Sequence, residues 1–362
     1  MLRLDEIAGV LQQFAIDGRL VSAEAIGSGH IHDTLHVTFT SGKWESEYIL
    51  QRINRTIFPN VPALMSNMQR VTEHLAKELA GHPDAERRAL TLIPTRNEAT
   101  WCQDQAGEYW RCFRAIPRTR TFDAVESTEQ AFQAAKAFGC FQRLLSSLPA
   151  ESLIETIPGF HHTPSRFAAL REAIANDVAG RMAGCKREIE FALVREPLSR
   201  VLVEANLPLR ITHNDTKLNN VLFDEESGEG ICVIDLDTVM PGLTAYDFGD
   251  MVRTTACAAA EDEQDLALVQ MDFALFEALL RGFLEPVGSA LPHAERMSLA
   301  QGGQVITFEQ GIRFLTDYLR GDTYYKVHRE GQNLDRCRAQ FKLLASMEEQ
   351  SQAVNALVEK VA

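Results

Sequence analysis

No C-x-x-C pair occurs among the seven cysteines, which stand singly at 102, 112, 140, 185, 232, 257 and 337. That spacing excludes the common zinc and dithiol frameworks, and apolar neighbours such as Ile231 and Val233 around Cys232 mark them as buried reduced thiols. Long hydrophobic runs are missing as well, so nothing is of a length to cross a bilayer. The opening MLRLDEIAGVLQQFAIDG is broken early by Asp5 and Glu6 and lacks the uninterrupted apolar core of a signal peptide, so a cytoplasmic location is expected. Positive charge is scarce: 36 lysines and arginines against 50 aspartates and glutamates leave a formal net charge of -14, which is no footprint for nucleic acid or an anionic membrane. Internal repeats and low-complexity tracts are absent too.

What remains is an ordinary globular composition, 45% hydrophobic and 24% charged over 362 residues, with room for two lobes and two cores. The early part alternates β-like runs with turn signals, at 20–26, 34–40, 47–53, 90–94 and 108–116, and one helix interrupts them over 61–79. Beyond Pro117 the pattern becomes helical. Ser127 to Gln130 fits a capping box, and Ala134, Phe138, Phe141 and Leu145 follow at helical spacing. Helical periodicity returns over 164–206 and much of 262–360, as in Phe308, Ile312, Leu315 and Leu319, with Gly321 as a stop. These patterns predict an α+β chain with a β-rich lobe over 1–116 and a mainly helical lobe over 117–362. The hinge falls at Arg114 to Arg118, and a ligand cleft is expected between the lobes.

The densest chemistry lies in Ile211-Thr-His213-Asn-Asp215-Thr-Lys-Leu-Asn-Asn220, followed by an apolar run to Asp224, a turn, and Ile231 to Asp237. A hairpin here brings Asn220, before its first strand, to Asp235, after its second. Phosphoryl transfer needs that combination of hard oxygen ligands for magnesium and a carboxylate to take the proton of the attacking hydroxyl. Asp215 is the expected base, Asn220 and Asp235 the metal ligands, and His213 a structural brace. The tempting Asp247-Phe248-Gly249 lies 32 residues after Asp215, whereas Asp235 lies 20 after it at the end of an apolar strand. Asp247 is therefore expected either to fix the loop by hydrogen bonding or to cap the following helix.

Upstream, Gly27-Ser28-Gly29-His30-Ile31-His32 falls between two predicted strands, where a G-x-G turn lets backbone amides approach the phosphates of ATP. His32 takes the place of a third glycine, so His30 and His32 either line the acceptor side of the cleft or are solvated. Gln51, with Arg52 beside it, occupies the position where a protein kinase carries its third-strand lysine. The phosphates are then left to the glycine turn, these two residues and magnesium.

Taken together, these motifs resemble the aminoglycoside phosphotransferase and choline kinase group, with its two-lobed, protein-kinase-like fold. They are more closely similar to the N-acetylhexosamine 1-kinases, through G-x-G-H-I, YILQ-x-x-N, THNDTKLNN, IDLD-T, DFGD and the pattern from Arg313 to Tyr324. Gln51 belongs to that likeness. The resemblance implies transfer from ATP, with Mg2+, to the C1 hydroxyl of N-acetylglucosamine or N-acetylgalactosamine. It implies Asp215 as base, Asn220 and Asp235 on the metal, and sugar contacts from His30, Arg313 and Tyr324. Rival readings are a kinase of the same fold acting on an aminoglycoside, choline or homoserine, and an idle nucleotide- or sugar-binding module.

Overall fold

The computed structural model describes residues 4–26 and 31–361. A five-stranded antiparallel sheet forms the strand-rich half: β1 (Arg19–Ala25), β2 (Asp33–Ser41), β3 (Trp44–Arg52), β4 (Cys102–Gln103) and β5 (Tyr109–Arg114), in the order β1-β2-β3-β5-β4. Strict alternation decides what each face carries. On one face Leu35, Val37, Leu50, Trp110 and Cys112 pack with Ile7, Val10 and Leu11 of α1 (Leu4–Leu11) and with Phe14 just beyond it. On the other, Phe113 meets Val61, Leu64 and Met68 of α2 (Val61–Glu78), which Pro62 at its start and the Asn60 cap help to initiate. This second core runs unbroken into the helical half, through Phe138, Phe223, Phe248 and Phe283.

After the short α3 (Ala85–Arg88) and β6 (Thr119–Arg120) comes α4 (Thr128–Leu144), where the Ser127 side chain accepts from the Gln130 N–H at 3.2 Å and the predicted stripe is buried. The rest of the helical half comprises α5 (Thr163–Asn176), α6 (Lys186–Val194), α7 (Thr244–Thr255), α8 (Phe273–Val287), α9 (His293–Leu319), α10 (Gln332–Glu349) and α11 (Ser351–Val361). Between α6 and α7 lie β7 (Arg210–Thr212), the hairpin β8 (Val221–Asp224) and β9 (Gly230–Val233), and β10 (Met240–Gly242). The hairpin pairs Val221 with Val233, and β7 pairs with β10. All seven cysteines are unpaired, and among the described residues no helix is long and apolar enough to cross a membrane.

Two expectations need correction. Residues 90–94 are not a strand: they run beside β5 with Ile93 N–H on Cys112 O at 2.8 Å, but form only an isolated bridge at Leu92 before Pro94 ends the pairing. The helix expected over 164–206 is broken, because Asp177 and Gly180 take positive φ after α5 and tight 3-10 turns flank α6.

Candidate active site

The site is assembled around one peptide unit. Asn214 adopts φ +65°, a left-handed conformation that asparagine tolerates better than most residues, and this turn directs the following Asp215. Asp247, at the start of α7 and fully buried, receives the N–H of Asn214 at 2.7 Å, the N–H of His213 at 2.9 Å and the Gln142 amide at 3.0 Å. Burial pushes the Asp247 carboxyl above its ordinary value, opposed by those donors. Behind it, α7 crosses α9 so closely that a methyl group on Gly249 would stand 2.4 Å from the Gly302 carbonyl oxygen. The Asp-Phe-Gly string is thus a packing and anchoring device at this crossing.

His213 braces the loop from below. Its Nε2 donates to Ile234 O at 2.9 Å and its Nδ1 accepts the Asp215 N–H at 3.3 Å, an arrangement that a neutral ring satisfies. Phe138 and Phe141 of α4 hold the ring edge-on, at centroid distances of 5.4 and 5.9 Å.

Asp215 is partly buried, and its carboxylate meets Asn220 Nδ2 at 3.2 Å and Lys217 Nζ at 2.9 Å. Burial raises the Asp215 carboxyl, and the Lys217 ammonium outweighs it, holding the group below the usual carboxylate range. Asp235, in a left-handed turn just after β9, is brought to Asn220 by the bond from Ile234 N–H to Asn220 O at 2.9 Å. Burial and then the carboxylates of Asp237 and Asp215 push Asp235 well above its ordinary value. This crowding of acidic oxygens at the hairpin end is what a divalent cation relieves.

Arg111 on β5, which sequence reasoning missed, is buried on the α2 side of the sheet beside Gln51, its register partner on β3. Its guanidinium binds both oxygens of buried Asp237, at 2.5 and 2.6 Å, and its Nε donates to Gln51 Oε1 at 2.9 Å. Burial raises Asp237, and Arg111 overrides it to hold that carboxyl far below the usual range. Within the cluster of His32, Asp235 and Asp237, whose ligand atoms lie within 4.8 Å of one another, Asp235 is therefore the carboxylate not claimed by an arginine.

His32 is largely enclosed. Its side chain is 5% exposed, stacked on Phe58, with Nδ1 accepting the Asn54 N–H at 3.1 Å. The ring proton then sits on Nε2, 3.3 Å from Asp237 in an electrostatic contact without hydrogen-bond alignment. Gln51 Nε2 donates to Thr34, and the Arg52 Nε donates to Asp33 at 2.7 Å. Gly27, Gly29 and His30 lie outside the described residues.

Across His161 from the Asn214 carbonyl, α9 carries Arg313, one turn beyond Glu309. The Arg313 guanidinium lies over the rings of Phe160 and Tyr325, at 5.5 and 5.8 Å. Burial opposes its charge, while Tyr325, Glu309 and Tyr324 raise it above its ordinary value. Arg166 lies near enough that, after burial, Arg313 is the main cause lowering it. Tyr324 is 69% exposed and packs edge-on against Tyr325 in a turn gathered by Asp317.

Residues 22–283 match the model of the phosphotransferase enzyme family. Among solved structures, the chain is similar to an aminoglycoside phosphotransferase from Alicyclobacillus acidocaldarius, at 14% identity and TM-score 0.62 over 98% of this chain and 95% of that one. A spectinomycin phosphotransferase crystallised with ADP and spectinomycin matches at 12% identity and TM-score 0.60, over 97% and 99%. A microcompartment-associated aminopropanol kinase matches at 14% and 0.59, over 98% and 99%. These likenesses establish a two-lobed, kinase-like α+β fold.

Proposed function

The chain belongs to the phosphotransferase enzyme family, and from that premise we propose that it transfers the γ-phosphoryl group of ATP to the anomeric C1 hydroxyl of an N-acetylhexosamine, giving the sugar 1-phosphate. In this reading residues 1–116 hold the nucleotide and 117–362 carry catalysis and the acceptor. Asp215 orients the C1 hydroxyl and takes its proton, a role suited to a carboxyl held in its ionised form by Lys217. Asn220 and Asp235 would hold magnesium through oxygen atoms at the hairpin end, which suits a hard cation. Magnesium, when bound, neutralises charge on the transferred phosphoryl group. Lys217 keeps a cation beside the same oxygens, and Asp247 and His213 hold the loop in register. Arg111 occupies the place left by the missing third-strand lysine, with its charge spent on Asp237 rather than on phosphate.

The observation that carries the acceptor class is the charge of the α9 wall. Glu309 is paired with His161 at 2.9 Å and Asp250 with Arg253 at 2.9 Å, so the wall presents Arg313 with Arg166 close behind. Two guanidinium groups disfavour a cationic amino alcohol or aminoglycoside and favour a neutral, oxygen-rich acceptor, such as a sugar, that accepts their hydrogen bonds. Arg313 and Tyr324 are the sugar contacts in this reading. His32 is too buried to share that role and instead steadies Asp237. The test is ADP release with Mg-ATP over a panel of N-acetylglucosamine, N-acetylgalactosamine, glucose, choline, homoserine and an aminoglycoside. Turnover confined to the N-acetylated sugars supports the reading, and preferential turnover of a cationic acceptor sinks it.

A further inference from the structure

His161 stands between the acceptor wall and the catalytic loop, and its surroundings differ in kind from those of His213. The side chain is 6% exposed. Nδ1 faces Glu309 Oε1 at 2.9 Å, and Nε2 faces the Asn214 carbonyl oxygen at 3.0 Å. Neither partner carries a proton to give: a carbonyl only accepts, and Glu309, whose second oxygen accepts the Thr163 hydroxyl at 2.7 Å, is held below its usual range by the His161 charge facing it and so stands as a carboxylate. A neutral imidazole has one N–H and satisfies one of these partners. Only the doubly protonated ring satisfies both.

The Asn214 carbonyl belongs to the same peptide plane as the Asp215 N–H. His161 holds the carbonyl edge of that plane and His213 its N–H edge, at 3.3 Å. Glu309 lies one helical turn before Arg313, so the ring also joins this plane to α9. We propose that His161 is a positioning residue for the transfer, carried as an imidazolium that ties the peptide unit aiming Asp215 to the acceptor helix.

Burial acts against the charge on His161, and Glu309, the Asn214 carbonyl and Asp250 more than offset it, leaving the ring above its ordinary value. Burial likewise raises Glu309, and the His161 charge brings it below its usual range. Ionisable groups on the elements packed around the ring include Tyr246, Asp247 and Arg253 of α7, the last paired with Asp250, Arg166 of α5, Arg313 of α9, and His213, Asp215 and Lys217 of the loop. A raised histidine keeps its proton beyond the pH at which an ordinary imidazole loses it and gives it up as pH climbs through the raised value, so activity is expected to fall on the alkaline side.

The inference rests on Asp215 as base for its kinetic arm only. In the first arm, long-range 1H–15N correlation on the histidine-labelled free chain at pH 7.5 should show both nitrogens of His161 protonated, the signals assigned by their loss in His161→Gln. One bare nitrogen at that pH overturns the proposal, and this readout needs neither nucleotide nor acceptor. In the second, His161→Gln should lower kcat at least about tenfold, with the KM for ATP changed less than about twofold. Glu309→Gln should remove the alkaline decline, because a glutamine amide donates to Nδ1 and a neutral ring then satisfies both sides. An alkaline limb unchanged in Glu309→Gln contradicts the proposal even if His161→Gln fails to fold. If both nitrogens prove protonated while Asp215→Asn retains full turnover, the fault lies in the choice of base and not in His161.

Discussion

Replacing Arg111 with methionine keeps an unbranched side chain and removes the guanidinium that neutralises Asp237 and touches the Met68 sulfur. That carboxylate is 3% exposed and would keep the His32 ring at 3.3 Å, a contact without hydrogen-bond alignment. Breaking a buried, bidentate pair from one side costs about 3–5 kcal/mol, since the surviving charge stays desolvated. Gln51 also loses its partner, a smaller term of about 1 kcal/mol. With an unfolding entropy of about 2.1 cal/mol/K per residue, a loss of this size in a chain of 362 residues lowers Tm by about 5–8 °C. Calorimetry at pH 7 on Arg111→Met, Asp237→Asn and the double variant reads it directly. The double variant should recover most of the loss, because it buries no unpaired charge. An Arg111→Met chain within about 0.5 kcal/mol of the parent, or a double variant no better than the sum of the singles, would refute the claim that Arg111 neutralises a buried Asp237 carboxylate.

Three further outcomes are expected. Asp235→Asn should weaken magnesium-dependent ATP binding, whereas Asp247→Asn should lower turnover and stability with a smaller effect on metal affinity; titration of Mg2+ against both decides, and the reverse order would exchange their roles. Arg313→Ala should raise the acceptor KM roughly tenfold, for loss of a charge-assisted hydrogen bond of about 1.5–3 kcal/mol, with the KM for ATP nearly unmoved. Equal small changes for both substrates would remove Arg313 from the site. Gly249→Ala should destabilise by at least about 1–3 kcal/mol in chemical denaturation, since its new methyl group meets the Gly302 backbone first and the buried Ile306 side chain next; a neutral result would mean that α7 and α9 can separate at little cost.

What the sequence makes legible is mostly local. Alternation reveals β1, β2, β3 and β5, the turn between Phe223 and Ile231 announces the hairpin, and the α4 stripe is readable from spacing. Residues 90–94 mislead because an apolar run says nothing of whether its neighbour offers a full ladder, and Pro94 denies it one. Asp215, Asn220 and Asp235 stand out because they share one loop and one hairpin. Lys217 was open to the same reasoning, two positions beyond Asp215 on an extended loop. Arg111 and His161 were not: the first owes its place to antiparallel register with Gln51 and to Asp237, 126 residues away, and the second to Glu309, 148 residues away. Their partners are chosen by the fold, and a buried arginine or histidine carries no local signature of them.

The most direct measurement is 31P NMR of the product formed from Mg-ATP and N-acetylglucosamine or N-acetylgalactosamine, by the parent chain and by Asp215→Asn at matched nucleotide occupancy. The expected spectrum for the parent is that of an anomeric sugar 1-phosphate, with Asp215→Asn forming it about a hundredfold or more slowly while still binding Mg-ATP. Phosphate on any other hydroxyl, or an Asp215→Asn chain as fast as its parent, would contradict the assignment.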